Sequence, residues 1–141
     1  MKKLLISSLL ILSPTIYANT IYVGDSIALG FKQHNKGKGS TKIGANPSKV
    51  LSYIVRTDLK PYSKIVLSTG LSNDCSDLES VEKQFQTILL KNKKINIDLL
   101  SSPYCKNYLF LRRMCSQDTN CKLISFPTSD GIHPKSYKLN F

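Results

Sequence analysis

The sequence predicts an α/β fold in which a mostly parallel β-sheet is covered on both faces by helices. Short apolar stretches of strand length alternate along the chain with stretches whose apolar residues recur at helical spacing. Turn-forming glycine, proline and asparagine residues separate these stretches. Strands that alternate with amphipathic helices form βαβ units, which place the strands parallel and the helices over the sheet.

The first predicted strand is the apolar triplet at residues 21–23, and Gly24-Asp25 ends it. Ser26 follows at the start of a predicted helix, where free backbone N–H groups and the positive end of the helix dipole lie. A hydroxyl there can attack a carbonyl carbon while its own N–H group binds the resulting oxyanion. The alternative is that Ser26 is only the helix N-cap.

The next predicted elements are a short strand at Lys42-Ile43 and a helix that runs to about Asp58. Asn46 is a favourable N-cap for that helix, and Pro47 a favourable first residue. Gly44 lies between strand and helix, where its N–H group is free to face a ligand. Its alternative role is simply to form the turn.

A buried strand is predicted at residues 64–69, and it ends at the polar loop of residues 70–74. Ser76 and Glu79 have the spacing of a capping box, which predicts the start of another amphipathic helix. The remaining predicted elements are a strand at residues 95–100, a helix around residues 108–114 within an irregular connection, and a last strand at residues 123–126.

Four residues or segments that suggest a functional site each follow a predicted strand. They are Ser26, Gly44, Asn73 and the segment of residues 130–133. Ligands of parallel sheets bind beyond the carboxyl ends of the strands. We therefore expect these residues to lie near one another at one edge of the sheet.

A serine nucleophile needs a base, and histidine suits that role near neutral pH. Of the two histidines, His34 lies in a polar, lysine-rich stretch that favours an exposed position. His133 follows Asp130 by three residues. One tight turn would let the carboxylate accept the Nδ1–H proton, which leaves Nε2 for Ser26. The alternative is that Asp130 caps a turn and His133 lies on the surface.

Together these residues form four blocks in order: Gly24-Asp25-Ser26-Ile27, Gly44, Gly70-Leu71-Ser72-Asn73-Asp74 and Asp130-Gly131-Ile132-His133-Pro134. The blocks resemble those of the SGNH, or GDSL-type, serine hydrolases. The resemblance implies that Ser26 is the nucleophile and that Asp130 and His133 complete a triad. It implies an oxyanion hole formed by the N–H groups of Ser26 and Gly44 and by the Asn73 side chain. The fold it implies is a flavodoxin-like three-layer α/β/α sandwich.

The sequence departs from the family pattern in three places. Ile27 stands where leucine is usual, which is a conservative change. The third block is one residue longer than usual, so Asn73 follows Gly70 by three positions. Only eight residues follow His133, which predicts a short closing helix and a site that is either open or dependent on a partner.

The first 18 residues have the layout of a secretory signal peptide. Lys2 and Lys3 precede an apolar run at residues 4–12, and a small residue, Ala18, offers the cleavage site. We expect residues 1–18 to be removed and residues 19–141 to form one hydrolase domain that is secreted or periplasmic. No later stretch is apolar enough to predict a transmembrane helix.

Four cysteines in an exported chain predict disulfide bonds. Their spacing contains no C-x-x-C pair, which argues against zinc, and we expect no metal ion or cofactor. Three pairings are possible. We favour Cys75–Cys105, which would tie two loops at one edge of the sheet, and Cys115–Cys121, which would close a short local loop.

The formal net charge is +11, and it falls to +9 when Lys2 and Lys3 leave with the signal peptide. A basic exported protein is attracted to anionic surfaces such as glycans or phospholipid headgroups, and the alternative is that the charge serves only general solubility. The lysines are not interleaved with aromatic residues, which argues against nucleic acid as a partner.

The expected function is that of a serine esterase that removes a small acyl group, such as acetyl, from an envelope glycan. The reaction would pass through an acyl-enzyme on Ser26. Two alternatives stay open. One is a lysophospholipase or thioesterase of the same fold, and the other is a non-catalytic module that binds an anionic polymer.

Overall fold

The computed structural model describes residues 19–101, 104 and 108–138. The predicted signal peptide lies outside the described residues, as does Cys105. In the described part of the chain, five strands alternate with four helices. In order, these are β1 (Thr20–Gly24), α1 (Ser26–His34), β2 (Lys38–Thr41), α2 (Pro47–Arg56), β3 (Lys64–Leu67), α3 (Leu78–Lys91), β4 (Asn96–Ser101), α4 (Tyr108–Ser116) and β5 (Cys121–Ser125).

The five strands form one parallel sheet with the order β2-β1-β3-β4-β5. β2 therefore lies on one side of β1, whereas β3, β4 and β5 follow in order on its other side, so the strand order reverses between β1 and β3. In sheets of this order, that reversal opens a crevice at the carboxyl ends of the two strands. The predicted α/β class with a mostly parallel sheet is confirmed, and the topology is consistent with a flavodoxin-like three-layer sandwich.

Side chains that alternate along the strands build two cores. On β1, Ile21 and Val23 face the larger core, while Tyr22 faces the smaller one. The larger core packs the sheet against α2, α3 and α4, and the smaller core packs it against α1 and the segment after β5. Helices thus cover both faces, as the alternation of elements predicts.

The helix α1 begins at Ser26 as predicted, and the alternative role of Ser26 as its N-cap is excluded. The predicted cap of α3 is wrong. Asp25, rather than Ser26, is the N-cap of α1, since its carboxylate accepts the Ile27 N–H group. Asp77, rather than Ser76, is the N-cap of α3. In both cases a carboxylate beside the serine takes the position, and the start of α2 at Asn46 and Pro47 is as predicted.

The predicted strand at Lys42-Ile43 is wrong, because β2 lies earlier, at Lys38–Thr41. β2 is an edge strand and pairs only with β1. A half-exposed edge strand needs no run of apolar side chains, so its polar sequence does not reveal it. Ile43, which suggested the strand, is instead 72% exposed.

The predicted disulfide between Cys115 and Cys121 is present and links the end of α4 to the start of β5. Cys75 is also disulfide-bonded. Its predicted partner, Cys105, is outside the described residues. Within the described ranges, none of the helices has the length and apolar character needed to span a membrane.

Candidate active site

Three predicted site residues form a chain of hydrogen bonds beyond the carboxyl end of β1. Ser26, the first residue of α1, has its Oγ atom 2.9 Å from Nε2 of His133. Nδ1 of the same imidazole lies 2.8 Å from Oδ2 of Asp130. This is the order of contacts in which a carboxylate fixes the imidazole tautomer and the other ring nitrogen accepts the serine proton.

The turn that carries Asp130 and His133 is fixed by its own backbone. Oδ1 of Asp130 accepts the N–H groups of Ile132 and His133, each at 2.8 Å. The Thr128 hydroxyl oxygen accepts the N–H group of Gly131, also at 2.8 Å. One carboxylate therefore shapes the turn with one oxygen and orients the imidazole with the other.

Hydrogen bonding holds the pKa of Asp130 well below its ordinary value. The bond from the His133 side chain is the largest cause, and the backbone N–H groups of His133 and Ile132 follow. Asp130 is accordingly ionised throughout the neutral range. A carboxylate in that state favours the imidazolium form that His133 would take after accepting a proton.

The segment that carries His133 is anchored on α1, the helix that begins with Ser26. The Tyr137 ring packs edge-on against Phe31, with ring centroids 5.1 Å apart. It also lies directly over Gly30, where an added Cβ atom would come within 2.7 Å of its Cδ1 atom. In place of the expected short closing helix, the described residues after His133 form no helix, and an aromatic contact makes the attachment.

Asp25 is a buried group of the site for which the sequence analysis assigned no role. Only 1% of it is exposed. Its Oδ1 atom accepts hydrogen bonds from the Ile27 N–H group at 3.0 Å and from the Ser68 hydroxyl at 2.5 Å. Burial raises the pKa of its carboxyl, and the bonds from Ser68 and Ile27 oppose that rise. The sequence signal for it was an aspartate directly before a helix, which is a favoured N-cap.

The three predicted oxyanion donors follow β1, β2 and β3. The Ser26 N–H group lies in the first turn of α1, which has no intrahelical acceptor. Gly44 has a φ of +78°, and no described residue accepts its N–H group. Nδ2 of Asn73 donates to the Ala45 carbonyl at 2.9 Å and lies 3.5 Å from Oδ2 of Asp25. The contact with Asp25 is the weaker one, so that N–H group is the more available to a ligand.

The loops after β2 and β3 approach closely, and two residues hold them together. Gly70 has a φ of +88°, and a Cβ atom there would lie 2.6 Å from the carbonyl carbon of Asn46. Gln84 is fully buried on α3, and its Nε2 atom donates to the carbonyls of Pro47 and Thr69, each at 3.0 Å. These contacts fix the backbone of the two loops that carry Gly44 and Asn73.

The other predicted candidate, His34, is the last residue of α1 and is exposed. It therefore lies at the opposite end of the helix from Ser26. Among the described residues, no group of three or more His, Cys, Asp or Glu side chains is arranged to bind a metal ion.

Replacing Asp25 with alanine is expected to lower the free energy of unfolding by about 2–4 kcal/mol. The change removes a helix cap and leaves the Ser68 hydroxyl buried without its acceptor. Urea denaturation followed by circular dichroism measures the loss. Asp74→Ala is the matched control, because Asp74 accepts bonds from Ser76 in an exposed turn. Equal losses in the two variants would contradict a special role for the buried carboxylate.

Comparisons of the chain with protein-family models, with curated proteins and with solved structures find no match. The function is therefore inferred from the geometry of the site.

Proposed function

We propose that this protein is a serine esterase of the SGNH type that removes small acyl groups from an exported glycan. The observation that carries the proposal is the chain of hydrogen bonds from Ser26 through His133 to Asp130. A helix N-cap or a surface histidine needs no such chain. Ser26 and His133 lie 107 positions apart in the sequence, and Asp130 and His133 three positions apart. Local turn formation therefore does not explain why all three side chains meet.

In the proposed reaction, Ser26 Oγ attacks the ester carbonyl carbon as His133 Nε2 takes its proton. The carbonyl oxygen becomes an oxyanion, which the N–H groups of Ser26 and Gly44 and the Asn73 amide would bind. His133 then returns the proton to the departing alcohol, which leaves an acyl-enzyme. Water enters, gives its proton to His133 and attacks the acyl carbon. The acid leaves, and the serine recovers its proton.

Asp25 and Ile27, the sequence neighbours of Ser26, line a small cavity with Leu100 and Leu111, among other described residues. Its volume is about 10 Å³. A space of that size holds roughly one water-sized group. If the acyl group of the substrate enters this cavity, an acetyl methyl group fits, whereas the acyl chain of a lysophospholipid does not.

A fluorophosphonate probe tests the proposal directly, because it forms a covalent bond only with an activated serine. We expect the wild-type protein to be labelled and peptide mass spectrometry to place the label on Ser26. Ser26→Ala is expected to abolish labelling. Ser116→Ala, which removes an exposed serine on α4, is expected to leave it unchanged. An unlabelled wild-type protein would favour the non-catalytic binding module instead.

A further inference from the structure

A second recess lies next to the candidate active site. It is a groove of about 460 Å³ between the loop after β2 and the first turns of α2. The side chains and backbone that matter for its chemistry belong to Lys42, Gly44, Asn46, Ser48, Lys49 and Ser52. We call it the lysine groove.

The lysine groove carries positive charge without a compensating carboxylate. None of its lining residues is acidic. In the described part of the chain, the ion pairs involve other residues, so neither Lys42 nor Lys49 is paired with a carboxylate. Lys49 instead stands over the Tyr53 ring, with its Nζ atom 5.7 Å from the centroid. Two ammonium groups without a carboxylate partner at one recess favour an anionic occupant.

The groove also offers hydrogen-bonding groups of both kinds. The Asn46 Oδ1 atom accepts the Lys49 N–H group, which leaves the Asn46 amide donors available. The Ser52 hydroxyl donates to the Lys49 carbonyl at 2.6 Å and keeps its oxygen as an acceptor. Ser48 adds a second hydroxyl. Mixed donors and acceptors beside a positive charge suit the hydroxyls and carboxylate of an acidic sugar.

The groove and the candidate active site share one loop. Gly44, a proposed oxyanion donor, lines the groove. So does Ala45, whose carbonyl accepts the hydrogen bond from Asn73. An occupant of the groove would therefore lie beside the groups proposed to bind the reacting carbonyl.

We propose that the lysine groove binds a carboxylated sugar unit of the acylated glycan, so that the substrate is an acidic polysaccharide. This inference rests on the proposed esterase function and names its substrate class. A membrane surface fits less well, because Ile43 is the one large exposed apolar side chain among the groove's lining residues.

The first test measures binding and needs no catalysis. Fluorescently labelled trigalacturonate is titrated with the protein at low ionic strength and followed by fluorescence polarisation. We expect Lys42→Gln with Lys49→Gln to weaken binding by about tenfold, since each exposed ion pair contributes a few-fold. The control pair, Lys60→Gln with Lys94→Gln, removes the same charge from exposed residues outside the groove and is expected to change affinity less than twofold.

The second test compares acetate release from O-acetylated galacturonate and from O-acetylated galactose. The wild type is expected to prefer the acidic substrate, and the groove variant is expected to lose that preference, measured as a ratio of kcat/KM values. The control variant should retain it.

Equal weakening of trigalacturonate binding in both double variants would overturn the inference, because it would reflect net charge alone. Stronger, groove-dependent binding to phosphatidylglycerol vesicles than to trigalacturonate would also overturn it, in favour of a lipid surface. Absence of ester turnover with groove-dependent trigalacturonate binding intact would contradict the proposed esterase function while supporting the acidic sugar as occupant.

Discussion

Replacing either Ser26 or His133 with alanine is expected to lower ester turnover by about 10⁴-fold or more, since removal of the nucleophile or the base from such a pair has effects of that order. The double variant should lose little more, because the two side chains act in a single step. Initial rates of 4-nitrophenyl acetate hydrolysis measure the effect. His34→Ala is the matched control, because this exposed histidine lies at the other end of α1.

The same assay, repeated across a range of pH, distinguishes the roles of His133 and Asp130. A histidine base accepts the serine proton only in its neutral form, so turnover is expected to fall on the acid side. The lowered pKa of Asp130 keeps that carboxylate ionised over this range, so its protonation should not contribute to the acid limb. The pKa of the buried Asp25 carboxyl is raised instead, so a second proton in the limb would be assigned to Asp25. Retention of most of the rate in His133→Ala but not in Ser26→Ala would mean that another group is the base.

Replacing Asn73 with alanine is expected to lower kcat by about a hundredfold, because one oxyanion donor contributes on the order of 3 kcal/mol to the transition state. The effect should appear in kcat more than in KM, since the oxyanion forms only during the reaction. Steady-state kinetics on 4-nitrophenyl acetate measures both constants. Asn35→Ala is the control. It also removes an amide that donates to a backbone carbonyl, that of Phe31, but at the far end of α1.

An unchanged kcat in Asn73→Ala would show that the side chain only supports the loop through its bond to the Ala45 carbonyl. The longer third block would then direct the amide away from the substrate. Loss of stability without loss of rate is the signature of that outcome, and chemical denaturation of the same variant detects it.

The order of elements was predictable because local signals were strong. Apolar runs and helical spacing predicted β1, β3, β4 and β5 and the helices between them, and Asn46-Pro47 predicted the start of α2. β2 was missed because an edge strand can be polar. Ser76 was the predicted cap of α3, and Ser26 the alternative cap of α1, because serine is a favoured N-cap. A neighbouring aspartate takes the position in both helices, and the sequence alone does not decide between the two residues.

Some contacts of the candidate site were predictable from the sequence, and others were not. The turn from Asp130 to His133 is local, so its spacing in the sequence predicted the contact between the two side chains. The contact of His133 with Ser26 was predicted from the need of a serine nucleophile for a base, from the expected sheet topology and from the family resemblance, rather than from local spacing. The buried bonds of Asp25 with Ser68, and of Gln84 with two loops, were not predictable, because they join polar side chains to partners brought close only by packing.

The attachment of residues 130–137 to α1 has a consequence for the stage of synthesis at which the proposed site is assembled. Ser26 is made early in synthesis, whereas His133 is among the last described residues. The aromatic contact between Tyr137 and Phe31 brings the two together. Under the proposed function, a growing chain would therefore carry the serine without its base. Ester hydrolysis would begin only when residues 130–137 dock on α1, so folding of this late segment would complete the site.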